Sequence, residues 1–182
     1  MNWEDFDAHF DRFTHTVFRL ETLQDYTAPG ETERVEAFRR GLPRPERSVR
    51  TSPWLARIAV TTITEKKRWQ RVRVVEEPLT GYTRYQMAGY AESQAAGEEI
   101  RIVRRTAAPA LATLRRDFWL FDTATPGACA LLLDYSPTGE WRGGELTTDP
   151  HALLELQAER DLALRWAAPL NEYLVQMAKQ VA

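Results

Sequence analysis

The chain opens on an apolar stripe: Trp3, Phe6, Phe10, Phe13 and Val17 recur at intervals of three and four, which predicts an amphipathic helix over about residues 2–17 with an aromatic face. "VFRLETL" then reads as a short strand, and "PGETERVEAFRRG" as a turn and short helix ended by Gly41. The proline- and arginine-rich "LPRPERSVRTSP", within about 42–53, predicts an exposed, mobile loop. Residues 54–65 carry both helical spacing and β-branched side chains, and the balance favours a helix. "WQRVRVV" alternates as a strand ended by Pro78, and a helix follows over 79–95 with Gly97 as its stop. The strand "EEIRIVRR", a linker or short helix, and a meander of "DFWLFD", "ACALLLDY" and "WRGGELTT" come next. Asp149 and Pro150 begin a helix striped by Leu154, Ala158, Leu162 and Trp166. Pro169 separates it from a last one carrying Leu170, Leu174, Met177 and Val181. This order predicts an α/β or α+β fold, a mixed sheet flanked by helices.

Length and composition narrow the picture. With 182 residues, 43% hydrophobic, the chain can bury one sizeable core, so residues 1–182 are expected to form a single domain. A lone cysteine, Cys129, lies in an apolar run and reads as a small buried hydrophobe in a reducing cytoplasm. The first residues lack the basic and apolar regions of an export signal, and no run of eighteen apolar residues occurs, so a cytoplasmic protein without a membrane span is expected.

Charge is segregated. Residues 1–36 hold nine acids against three arginines, and residues 44–73 hold nine bases against two acids. Either the two stretches fold against each other, or a basic face meets an anionic partner.

Candidate catalytic chemistry is sparse. Phosphate-cradling glycine loops, a GxSxG elbow and HExxH are absent from the sequence, and the three histidines are scattered. Asp5, Asp7, His9 and Asp11 would spread around a helix, so no metal site and no cofactor is expected. Binding residues are easier to nominate. Alternation puts Arg71, Arg73 and Val75 on one side of their strand, and "EEPLTGY" is a strand-to-helix turn of the kind at which α/β sheets bind ligands. Arg71, Arg73, Tyr82, Arg84 and Tyr85, with Asp122, are therefore the candidate ligand-binding residues. The alternative places both tyrosines in the core and leaves the arginines solvated or paired with Glu76 and Glu77. Trp3, Phe6, Phe10 and Phe13 form a candidate partner-docking face.

"FRLETLQDY", "RVRVVEEPLTGYTRYQ", "AAGEEIRIV", "DFWLFD" and "GELTTDP", in that order, resemble an uncharacterised actinobacterial family, a domain of unknown function encoded beside helix-turn-helix regulators. The resemblance spans about Phe18 to Leu174. It departs at Gln86, where a glutamate is common, and "RPERSVR" has no counterpart. More distantly, the strand ending at Asp122, the meander and the "DP" helix look like a degenerate phospholipase-D-like half domain. That superfamily's HxKxxxxD would put His and Lys where Arg115 and Asp117 stand, so the resemblance implies a scaffold without the nucleophile. The favoured reading is a non-enzymatic regulatory or sensor domain that binds a helix-turn-helix regulator and a small ligand, with a homodimer left open. The alternatives are a hydrolase or transferase with a non-motif site, and a nucleic-acid binder using Lys66, Lys67, Arg68, Arg71 and Arg73, though direct nucleic-acid contact is disfavoured.

Overall fold

In the computed structural model, which describes residues 3–27 and 30–181 and the side chains of 5–27 and 30–179, seven strands form one mixed sheet. The elements are α1 (Trp3–Arg12), β1 (Thr16–Glu21), α2 (Thr32–Arg39), α3 (Pro53–Ile63), β2 (Arg68–Val75), α4 (Gly81–Ala95), β3 (Glu98–Arg104), β4 (Asp117–Phe121), β5 (Cys129–Tyr135), β6 (Trp141–Thr147), α5 (Pro150–Trp166), β7 (Ala168–Pro169) and α6 (Leu170–Val181). Two short 3-10 turns fill Arg105–Thr113. The strand order is β6-β5-β4-β1-β2-β3-β7. β1, β2 and β3 run parallel, as strands joined through helices do, and β4 to β6 form the antiparallel meander on the other flank of β1.

Alternation gives the sheet two different faces. One carries Phe18, Leu20, Val72, Val74, Val103, Phe118 and Leu120 and packs on α5 and the 3-10 segment. Its buried partners from α5 are Leu153, Leu156 and Ala163; of the expected stripe Leu162 packs partly buried beside them, and Leu154, Ala158 and Trp166 are exposed. Both rows have helical spacing, and the sheet decides which one turns inward. In α6, Leu170, Tyr173 and Met177 pack inward while Leu174 is exposed, and the side chain of Val181 lies outside the described residues.

The opposite face is split along the strands. Near the amino ends of β1 and β2 it is aromatic: Val17, Trp69, Trp119 and Phe121 meet Phe6, Phe10 and Phe13, with Leu55 and Ile58 of α3. Phe10 has no solvent exposure; it stacks on Trp69 at 5.8 Å and meets Trp119, Trp54 and Phe121 edge-on at 4.8–5.3 Å. The docking face expected at Phe6, Phe10 and Phe13 is thus turned inward onto its own sheet, and the side chain of Trp3 lies outside the described residues. The helix is also shorter than expected, because Val17, which fits the helical stripe, belongs to β1 and pairs with Trp69 and Phe121.

The segregated charge folds back on itself. Arg57 makes a two-pronged pair with Asp7 and reaches Asp11 at 3.2 Å, clamping α3 to α1. The 42–53 loop is irregular, as expected, but Arg44 and Arg47 both anchor on Glu92 of α4, and Arg44 lies over the Tyr85 ring at 4.9 Å. Asp149 caps α5 by accepting the Ala152 amide, as its sequence predicts. No helix among the described residues is long and apolar enough to cross a membrane.

Candidate binding cleft

The carboxyl-end half of that second face is charged. Arg19 and Glu21 of β1 stand beside Arg71 and Arg73 of β2 in register, and Asp117 of β4 and Glu98 of β3 flank them. Arg19 and Arg71 sit directly opposite one another, an arrangement that repels unless anions intervene. Glu21 intervenes: it accepts from Arg71, lies 3.4 Å from Arg73 Nη1 and takes the Tyr90 hydroxyl at 2.8 Å. Asp117 binds Arg19 at 2.7 Å, the amide and hydroxyl of Thr22, and the Tyr26 hydroxyl. Glu98 holds Arg71 Nε at 2.8 Å. Three guanidiniums therefore face three carboxylates, all largely buried.

Burial alone would raise the Glu21 pKa, but Arg71, Arg73, Arg19 and the Tyr90 hydroxyl outweigh it and hold the carboxyl at about 2. Burial also raises the Tyr26 and Tyr90 phenols, so both stay neutral donors. Arg19 Nη1, Arg73 Nε and Glu98 Oε2 are buried without a hydrogen-bond partner.

Beside this network lies a cleft of about 220 Å³ at the carboxyl ends of β1 and β2. Its walls come from the segment after β1 (Asp25, Tyr26, Thr27), from α2 and the residue before it (Glu31, Thr32, Val35, Glu36, Arg39), and from Tyr82 in the first turn of α4. The position is where α/β sheets bind ligands, outside the carboxyl ends of adjacent parallel strands. Two sets of contacts hold the 22–27 segment. The Gln24 carbonyl accepts from Arg73, Thr80 and Thr83, while its side chain bonds Val74 and Glu76. At the other end the Thr27 amide donates to Gly139 of the β5–β6 turn at 2.9 Å. Gly139 has φ +79°, and a Cβ there would lie 2.4 Å from the Asp25 carbonyl, so the close approach requires glycine.

The Tyr26 and Tyr82 rings stand 5.9 Å apart. The Tyr82 hydroxyl donates to Glu31, which also takes Gln86 at 3.3 Å. Arg39 joins Glu36 and, at 4.0 Å, Asp25. Arg73 lies against the Tyr26 ring at 4.8 Å, so this tyrosine links network and cleft.

The six expected ligand residues do not converge. Arg71 and Arg73 belong to the buried network, and their acids are Glu21 and Glu98; Glu76 and Glu77 pair with Arg105 and Arg104 instead. Tyr82 reaches the cleft, whereas Tyr85 is buried against Phe38 beneath Arg44. Arg84 is exposed and folds back to the Leu79 carbonyl. Asp122 sits at the far end of β4, at φ +49°, where its carboxylate accepts the amides of Thr14, His15 and Thr16. Burial raises its pKa, but those amides prevail and lower it; its role is to tie the turn between α1 and β1. Asp117 and Asp122 are thus at opposite ends of their strand and form no acid/base pair.

The basic 66–73 segment is likewise occupied. Lys66 donates to the Ile63 carbonyl, Lys67 pairs with Glu65 above the Phe13 ring, and Arg68 pairs with Glu99. Among the described residues no group of three or more His, Cys, Asp or Glu side chains could hold a metal.

The residues that sequence reasoning missed are Tyr26, Asp25, Glu31, Glu36 and Arg39. Their signal was present, because "LQDYTAPGE" follows a parallel strand as "EEPLTGY" does. No curated protein matches the chain. A family model matches residues 4–175, nearly the whole chain, and the protein accordingly belongs to the family described as a domain of unknown function, DUF6879.

Proposed function

We propose that this chain is a non-enzymatic regulatory domain that senses a small molecule in the Tyr26–Tyr82 cleft and passes its occupancy to a transcription regulator of the helix-turn-helix type. The observation that carries the sensing is the cleft itself, at the carboxyl ends of the parallel strands and joined through Tyr26 to a locked charge network. Its volume suits a metabolite-sized molecule, being below the range of drug-sized pockets. The network's chemistry favours a structural role over an enzymatic one: with a pKa of about 2, Glu21 has no proton to give near neutrality. In this reading the phospholipase-D-like scaffold is kept without its His and Lys. The regulator would dock elsewhere than on the α1 phenylalanines, which the domain's own core covers.

Thr32 is exposed on the cleft wall, so Thr32→Trp should fill the space without disturbing the core. A mixed metabolite library screened by NMR is expected to contain compounds that shift the Thr27 and Glu36 amides of the wild type and leave Thr32→Trp unmoved. If wild type and variant respond alike to every compound, the sensing function is wrong. For the output, size-exclusion chromatography of the chain with a helix-turn-helix regulator encoded beside it should give one co-eluting peak; two independent peaks would remove that partner.

A further inference from the structure

We propose that the Tyr26–Tyr82 cleft takes a small organic cation, an amine or guanidine carried on a short apolar or aromatic body. This rests on the sensing function and names its ligand class. An anion would be the natural guess from the arginine-rich β2, and the structure reverses the sign. Arg71 and Arg73 lie behind the cleft, within a network in which Arg19, Arg71 and Arg73 are balanced by Glu21, Glu98 and Asp117. What faces the opening is Asp25, Glu31 and Glu36 against the single cation Arg39.

Arg39 does not cancel this excess. It is shared between Glu36 and Asp25 and leaves Glu31 without a cation in the wall; among the described residues, the side chain of Glu31 is held only by the neutral donors Tyr82 and Gln86. A carboxylate bonded only by neutral groups and placed at a cavity wall can accept one further, charged donor.

The rest of the wall fits the same ligand. Tyr82 lines the cleft with an aromatic ring of the kind that attracts ammonium and guanidinium groups, Tyr26 already lies against the Arg73 guanidinium in that way, and Val35 offers apolar contact for the ligand's body. Aromatic rings beside carboxylates are a recurrent chemistry for holding organic cations, and an incoming carboxylate would meet net repulsion here.

The test uses the whole chain and three near-isosteric probes: 2-phenylethylammonium, 2-phenylethanol and phenylacetate. The ammonium is expected to shift the Thr27 and Glu36 amides saturably, the alcohol weakly and the acid not at all. Glu31→Gln keeps an acceptor for Tyr82 and should weaken the ammonium by about tenfold or more, the worth of a charge-assisted hydrogen bond. Phenylacetate saturating the same amides as tightly as the ammonium would overturn the cation assignment while leaving a ligand cleft in place. Silence of all three probes would also overturn it, and the Thr32→Trp comparison would then decide separately whether the cleft senses anything. Unchanged ammonium affinity in Glu31→Gln would remove the carboxylate from the mechanism, and the proposal with it.

Discussion

Glu21→Ala should destabilise the domain by about 3–5 kcal/mol at neutral pH, the usual cost of removing one partner from a buried ion network. The loss comes less from the bonds themselves than from what they leave behind. Arg71 would keep only Glu98, Arg73 would lose its carboxylate partner, and Tyr90 would lose its acceptor. The same residue should give the fold a distinctive acid limit. Its carboxyl is held at about 2 in the folded state and would titrate near the ordinary glutamate value of about 4.3 when unfolded. The native state then binds fewer protons than the unfolded one in between, so this stabilisation is complete above about pH 4.3 and is lost as the pH falls toward about 2. A gap of that size between the folded and unfolded carboxyl is worth roughly 3 kcal/mol. Glu99 is held near 2 as well, after burial is outweighed by Arg68 and Arg101, but it is partly exposed and solvent screens its contribution. Urea titrations of wild type and Glu21→Gln at several pH values between 7 and 2.5 isolate Glu21 as a difference. The wild type should lose its advantage across that window; parallel stability curves would show that Glu21 is not the acid switch. Replacing Glu21 and Glu98 together with Arg71 and Arg73 by apolar residues, so that no buried carboxylate is left without its cation, should restore part of the stability, since buried ion pairs rarely outperform a well-packed apolar substitute.

How much of this could be seen in the sequence depends on the distance over which each feature is decided. Nearly every helix and strand was legible, because periodicity, Asp149 as a cap and Gly97 as a stop are local signals. The two-residue β7 was not: Ala168 and Pro169 become a strand only because Ile102 and Arg101 lie beside them. Alternation correctly put Arg71, Arg73 and Val75 on one side of β2. It could not supply their partners, which arrive from β1 and β3 through strand register, while the adjacent Glu76 and Glu77 serve Arg105 and Arg104. The cleft was half legible for the same reason. Tyr82 stood at a recognisable strand-to-helix turn, but its facing wall is built from α2 and the segment before it, and Tyr26 is brought there by Gly139 from a distant hairpin.

Phe10→Ala is expected to cost about 3–5 kcal/mol, the range for deleting a fully buried aromatic side chain. For a domain of this length that is a fall in Tm of roughly 6–20 °C. The residue is the centre of an aromatic cluster contributed by α1, α3, β2 and β4, so the cavity would be bounded by Trp54, Trp69, Trp119 and Phe121. Indole rings held by their own packing cannot easily collapse into it; Trp69 is further fixed by donating its Nε1 to Thr61 at 2.8 Å. This cost separates two meanings of the aromatic stripe with which the chain begins. Were the stripe a docking face, Phe10→Ala would leave the isolated domain's melting unchanged and weaken a complex. As a core element it should lower the melting temperature of the isolated chain first, and any loss of partner binding would follow from unfolding. Thermal denaturation of the isolated chain therefore decides between them, with Val60→Ala as the comparison, because Val60 is 55% exposed on α3 and should change stability little. A Phe10→Ala chain that melts with the wild type would mean that α1 does not close the sheet's aromatic half, and the phenylalanines would return as candidates for a partner surface.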